Sequence, residues 1–323
     1  MTDASTVVRS LPDRDGDLGV YATSFRLHLE AENDSPRTIQ SYMEGLAQFD
    51  EFLEHEGLPR MVADIRSEHV KAFVVDLLGR EKPNGETYSP ATARARLAAV
   101  RSFYAWLVDE DDEDIDSNPA AGVRFPKNPE RVMRIPTDDE VGALLKSCTG
   151  KDFDARRDMA ICSLFADNGV RLSGLADLKL EDVDLGHRLL YVTLKGGRQQ
   201  PIPFGRDAAR ALDRYLRARA HHSYADLPWL WVSSKGRFTS SGIGQMVRRR
   251  WQDLGVTDLS AHSLRRYMAH SKLASGDTEG NVMATGGWTD ASMVRRYARG
   301  QQVERAAAAH EQHSPLDRLR GRR

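Results

Sequence analysis

Six side chains in the second half of this 323-residue chain stand out for chemistry: Arg171, Lys195, His262, Arg265, Trp288 and Tyr297. Arg171 follows Asn168-Gly169, a pair that reads as a helix stop with glycine in the left-handed region. Lys195 sits at the tip of a β-hairpin whose arms run 188–194 and 200–203. His262 and Arg265 share a helix start as His-Ser-Leu-Arg, Trp288 follows Gly286-Gly287, and Tyr297 comes nine residues later. The arginines offer planar paired donors to anionic oxygens and stay charged at any working pH. The indole adds one donor that does not titrate, the phenol is a nucleophile, and the imidazole can carry its proton. Taken singly, each residue also has an ordinary use, as a helix cap, a solvated turn or a core aromatic. No phosphate-binding loop, GxGxxG or GxSxG is present. His310 and His313 read HEQH rather than HExxH, and Cys148 and Cys162 form no CxxC. No metal or nucleotide cofactor is expected.

In this order the six residues resemble the catalytic signature of the tyrosine recombinase, or phage integrase, family: Arg, Lys, His-x-x-Arg, His or Trp, then Tyr. The flanks agree at Asn168-Gly-Val-Arg171-Leu-Ser, Leu194-Lys-Gly-Gly197, Pro201-Ile-Pro203 and Gly287-Trp288. Ser35-Pro-Arg-Thr38-Ile39-x-x-Tyr42, Leu97-x-x-Val100-Arg101-Ser-Phe103-Tyr104 and Asn118-Pro119 are similar to the family's core-binding domain. The likeness spans about residues 18–300, and with no arm-binding domain expected before residue 18 it points to the two-domain, chromosome-dimer-resolving type. It implies site-specific recombination of double-stranded DNA through a 3′-phosphotyrosyl link and a Holliday junction, for integration, excision or dimer resolution. It also implies four protomers on two duplexes, alone or with a paralogous recombinase.

Arg171, Arg265 and Trp288 would then hold the oxygens of a phosphorane-like state, and His262 would take the proton of Tyr297. Lys195, by the family's assignment, would protonate the leaving 5′-oxygen. Two other readings remain, a type IB topoisomerase-like enzyme and a non-catalytic DNA-binding regulator of the same fold. The core-binding pattern disfavours the first, and the six intact positions disfavour the second. Two positions depart from the family. Gly174 stands where an acidic residue is usual, with Asp177 one turn on as its substitute, and Arg266 replaces a usual histidine and is expected to contact phosphate.

The elements that must position these residues are mainly helical. The expected fold is an N-terminal helical core-binding (SAM-like) bundle, followed by a mixed α+β catalytic domain with a small β-sheet. The expected bounds are a flexible arm at 1–17, a DNA-binding domain at 18–127, a linker at 128–136 and a catalytic domain at 137–300. A C-terminal helix and basic tail at 301–323 would dock on a neighbouring protomer. The formal charge of −1 hides an asymmetry. Residues 1–127 hold 14 basic and 24 acidic side chains, a net of −10, whereas 128–323 hold 32 and 23, a net of +9. The acidic run 109–116 reads as a loop pointing away from DNA. Arg94, Arg96 and Arg101 form a basic helix face suited to phosphates, and Arg198, Arg248, Arg249 and Arg266 extend the basic surface. No segment has the length and apolarity of a membrane span, and the N-terminus lacks a secretory pattern, so a reduced, cytoplasmic protein is expected.

Overall fold

The computed structural model describes residues 17–81, 85–110, 115–129, 133–193, 197–288, 290–292, 294, 310 and 316. Lys195, Tyr297, the arm up to residue 16, residues 111–114 of the acidic run and nearly all of the expected C-terminal helix and basic tail lie outside the described residues. The chain divides into two compact units, Met1–Arg131 and Val132–Arg323.

The first unit is a four-helix bundle: α1 (Leu18–Ala31), α2 (Pro36–His55), α3 (Ser67–Gly79) and α4 (Pro90–Asp109). The two long helices start alike, each with a serine cap and proline in the first helical position. Ser35 Oγ accepts from Thr38 N at 3.1 Å, and Ser89 Oγ accepts from Thr92 N at 3.2 Å. They pack over Leu46, Phe49, Leu53, Leu97, Val100 and Phe103, all essentially sealed from water. The stretch 118–126 has no helical or strand period, yet Ala120 and Val123 are buried in the same core.

The second unit begins with α5 (Asp138–Ser147), α6 (Phe153–Asn168) and the short α7 (Leu172–Ala176). An antiparallel sheet follows, β1 (Val183–Asp184), β2 (Leu189–Thr193) and β3 (Gln199–Pro203), with Leu190 opposite Ile202. Then come α8 (Arg206–Arg219), a two-stranded ribbon of β4 (Val232–Ser233) and β5 (Gly236–Arg237), α9 (Ser240–Asp253), α10 (Ala261–Ala274) and α11 (Glu279–Gly286). Thr137 and Glu140 form the expected reciprocal cap on α5, with Thr137 N donating to Glu140 Oε2 at 2.9 Å. Gly169 ends α6 at φ +60°, and a methyl group there would lie 2.6 Å from Met268 Cε. Glycine is therefore required twice over at that turn.

The core of this unit centres on Trp231, Trp251, Tyr215 and Phe165. Trp231 Nε1 donates to Leu175 O at 2.8 Å, which fixes α7 against the ribbon. Arg219, itself buried, donates to the carbonyls of Ala225, Leu227, Trp229 and Leu230 and so folds the 225–230 loop around one guanidinium. The sequence misses α11, because Gly280 and Gly286 dilute its pattern and Val282 and Met283 are its only large apolar residues. Thr278 nevertheless caps it, accepting from Asn281 N at 3.2 Å. Arg188, expected in the first hairpin arm, sits in the turn before β2 at φ +55°. No helix among the described residues is long and apolar enough to cross a membrane.

Candidate active site

Three turns meet where α6, α10 and α11 end or begin, and two arginines tie them together. Arg171 stands immediately before α7, placed there by the Gly169 turn and by Asn168, whose Oδ1 accepts from Val170 N at 3.1 Å. Its Nη1 donates to Gly287 O at 2.8 Å. Arg265, on the first turns of α10, donates from Nη1 to Gly286 O at 2.6 Å and also to Gly169 O. Consecutive Cα atoms are about 3.8 Å apart, so both guanidiniums are held over one turn, Gly286-Gly287. The second face of Arg265 lies on the indole of Trp288, 3.8 Å from the ring centroid. Gly287 adopts φ +64° to bring Trp288 back under this arginine.

Arg171, Ser173, Gly174, Val192, Thr193, Arg198, Ile202 and the Gly286-Gly287 turn line a groove of about 470 Å³. Arg171 and Arg198 are exposed at its edge. Arg265 and Trp288 lie beneath, only 3% and 4% exposed. The structure therefore joins Arg171, Arg265 and Trp288, with the expected surface role of Arg265 filled by backbone carbonyls in this state. His262 sits one helical turn before Arg265 and is exposed. Partial desolvation, then the positive charges of Arg266 and Arg265, hold its pKa below the ordinary 6.5. The imidazole is therefore neutral at pH 7 and able to accept a proton. If it takes the phenol proton, single-turnover strand cleavage should be at its plateau at pH 8 and fall with a midpoint below 6.5, because protonation removes the acceptor. A midpoint above 6.5 would contradict this environment.

Several residues singled out in the sequence are engaged by other parts of the fold. Arg94, Arg96 and Arg101 do not form an open row. Arg94 donates to Pro126 O at 3.0 Å and Arg101 to Ala120 O at 3.2 Å and to Val123 O, with both stacked on Phe125. They fasten the 118–126 segment to α4, where its carbonyls need donors. Arg96 is held by Gln48, Ser41 O and Glu44. Arg266 is buried and donates to the Arg134 carbonyl rather than standing open on the surface. Asp177 does not replace an acid at position 174. It is 62% exposed and pairs with Arg237. A side chain at Gly174 would begin 2.7 Å from Val192 Cγ1, so β2 occupies that space.

Arg248 and Arg249 are exposed on α9, while Arg250 turns inward and donates to Asp158 Oδ2 at 2.8 Å. The Arg157–Asp158–Arg250 cluster that results binds α6 to α9. Thr193 in the groove, and Gln40, which with Arg37 and Arg96 lines a second one between α2 and α4, carry no sign in the sequence pattern.

The phage integrase family matches residues 135–304, and the phage integrase N-terminal SAM-like domain matches residues 22–111. The chain belongs to the phage integrase family. Among curated relatives it is similar to the tyrosine recombinase XerC of Azotobacter vinelandii, with 30% identity over 92% of this chain and 96% of that one. The tyrosine recombinase XerC of Roseiflexus castenholzii is 31% identical over 85% of this chain and 87% of its own. The fold matches that of XerH recombinase bound to a palindromic difH substrate, with a TM-score of 0.69 at 16% identity over 94% and 91% of the two chains. It also matches a lambda integrase tetramer bound to a Holliday junction, with a TM-score of 0.64 at 17% identity over 85% and 78%. This phage integrase family member is a tyrosine site-specific recombinase, mainly helical, with a SAM-like N-terminal domain and an α+β catalytic domain.

Proposed function

We propose that this recombinase cuts and rejoins double-stranded DNA at a specific site through a 3′-phosphotyrosyl intermediate on Tyr297. The observation that carries the reading is the pair of guanidiniums, Arg171 from α7 and Arg265 from α10, held over the one Gly286-Gly287 turn beside an open groove. A phosphodiester under attack gathers negative charge on its non-bridging oxygens, and fixed donors of this type stabilise it. Arg171 is already at the edge. Arg265 joins it by exchanging a carbonyl for a phosphate oxygen, with Trp288 as the floor beneath.

The Tyr297 oxygen attacks phosphorus, the bond from phosphorus to the 5′-oxygen breaks, and that oxygen takes a proton from Lys195. His262, neutral at pH 7, accepts the phenol proton. Attack by the 5′-hydroxyl of another strand reverses these steps, so the bond energy is kept and no nucleotide cofactor is consumed. The SAM-like unit and the basic half of the chain contact DNA, with the exposed Arg198, Arg248 and Arg249 on phosphates. Such contacts make affinity fall steeply with salt. Four protomers on two duplexes, alone or with a paralogous recombinase, pass through a Holliday junction in the cytoplasm, and dimer resolution is the use closest to that of the XerC relatives.

A nicked duplex carrying the cognate site traps the intermediate, because the cut fragment diffuses away. Denaturing electrophoresis should show a covalent band, and digestion followed by mass spectrometry should place the nucleotide on Tyr297. Attachment elsewhere, or no band on a genuine site, overturns the proposal. Relaxation of a plasmid lacking any site would favour a topoisomerase. Lys195→Ala should slow cleavage about 10²-fold and regain most of that rate when sulfur replaces the leaving oxygen, since a thiolate needs little acid help. Equal slowing with both substrates would remove Lys195 from the acid role.

A further inference from the structure

Arg266 has no part in the chemistry above, yet it is only 6% exposed and grips three groups at once. Its Nε and Nη2 donate to Arg134 O at 3.3 and 3.1 Å, Nη2 also donates to Ser263 Oγ at 2.8 Å, and Nη1 lies 3.7 Å from Met133 Sδ. Residues 133–134 belong to no helix or strand, and they lie where the chain enters the second unit. The Arg134 side chain is anchored separately, to Asp258 at 2.8 Å and to Glu140. The segment is thus held by its backbone from α10 and by its side chain from α5 and the 258 loop. A histidine, the family's usual residue here, is shorter and donates from one nitrogen when neutral, so it could not make this grip.

Arg266 also lies four residues after His262, one helical turn away on the same face of α10. We propose that Arg266 is a positioning residue that fastens residues 133–134 to α10 and, independently of that grip, sets a positive charge beside His262. Among the described residues, the charges that act on His262 are Arg266 and Arg265 on α10. The carboxylates of Asp258 and Glu140 are paired with Arg134. Partial desolvation, and then the positive charges of Arg266 and Arg265, hold the His262 pKa below its ordinary value. The link to rate rests on His262 being the proton acceptor of the proposed reaction. The grip and the charge do not.

Two substitutions in the full chain separate these parts. Arg266→Lys keeps the charge but cannot fork onto a carbonyl and a hydroxyl together, whereas Arg266→Gln loses the charge as well. Proton NMR titration of the histidines, with His262 assigned through His262→Asn, should give one His262 midpoint for wild type and Arg266→Lys. In Arg266→Gln the midpoint should rise by about half a unit. Digestion by an arginine-specific protease should cut after Arg134 about tenfold faster in Arg266→Lys than in wild type, as expected when one or two hydrogen bonds no longer hold the segment closed. An unmoved midpoint in Arg266→Gln, or an unchanged rate of cutting in Arg266→Lys, overturns the proposal. If Arg266→Gln does not fold, the proteolysis of Arg266→Lys still decides it. If the midpoint rises while the acid limb of DNA cleavage stays in place, Arg266 stands as proposed and His262 loses its role in the reaction.

Discussion

Arg265→Lys should cut single-turnover DNA cleavage by about 10²–10³-fold, the usual loss when one fixed donor is removed from a developing oxyanion. The substitution keeps the positive charge, so charge alone does not explain the effect. What goes is the planar guanidinium, whose Nη1 donates to both Gly169 O and Gly286 O while its carbon lies over the ring of Trp288. A lysine nitrogen ends one bond short of Nη1 and has no planar face to set against the indole. It would leave at least one buried carbonyl without a donor, at a cost of about 1–3 kcal/mol. In a domain of this size that lowers the melting temperature by roughly 3–10 °C. Differential scanning calorimetry and the suicide-substrate assay read the two effects separately. Normal melting with lost cleavage would mean the carbonyl grip contributes little to folding, and normal cleavage would remove Arg265 from the phosphate-binding role.

Much of this site follows from local sequence rules. The serine-proline starts of α2 and α4, the reciprocal cap on α5, the left-handed glycine that ends α6 and the β2–β3 hairpin each depend on a few adjacent residues, and each is found where the sequence puts it. What the sequence hides is the long-range use of side chains. Arg94 and Arg101 look like a basic stripe because helical spacing sets their direction. Only the fold shows that Phe125 and the carbonyls of residues 120–126 cover that face. Asp177 lies one turn from Gly174 in sequence, but its carboxylate is taken by Arg237 from β5. The partners of Arg171 and Arg265 are backbone oxygens of glycines, and no side-chain pattern can announce those. For the same reason Gly286 and Gly287 look like mere spacers before Trp288, although the two arginines are anchored on them.

That anchoring makes Gly286→Ala the most telling small change. A methyl group at residue 286 would lie 2.1 Å from Trp288 Cζ3 and 2.4 Å from Cε3, far inside contact distance. The indole cannot yield cheaply, because it is packed among Met268, Leu273, Val282 and Val294 and carries the Arg265 guanidinium on its face. Overpacking a filled core costs about 1–3 kcal/mol. Here the strain passes directly to the Gly286 carbonyl that holds Arg265. A displacement of about 1 Å among reacting groups costs on the order of 10²-fold in rate, so cleavage should fall by at least that factor while DNA binding, which depends on exposed charges elsewhere, changes little. Gly280→Ala is the control on the same helix. Its nearest neighbour would be Thr278 Oγ1 at 3.9 Å, so alanine should be neutral or stabilise α11 by up to about 1 kcal/mol. Equal behaviour of the two variants in melting and cleavage would show that the indole does not bear on Gly286. A loss confined to Gly286→Ala would trace the alignment of both arginines to one missing methyl group.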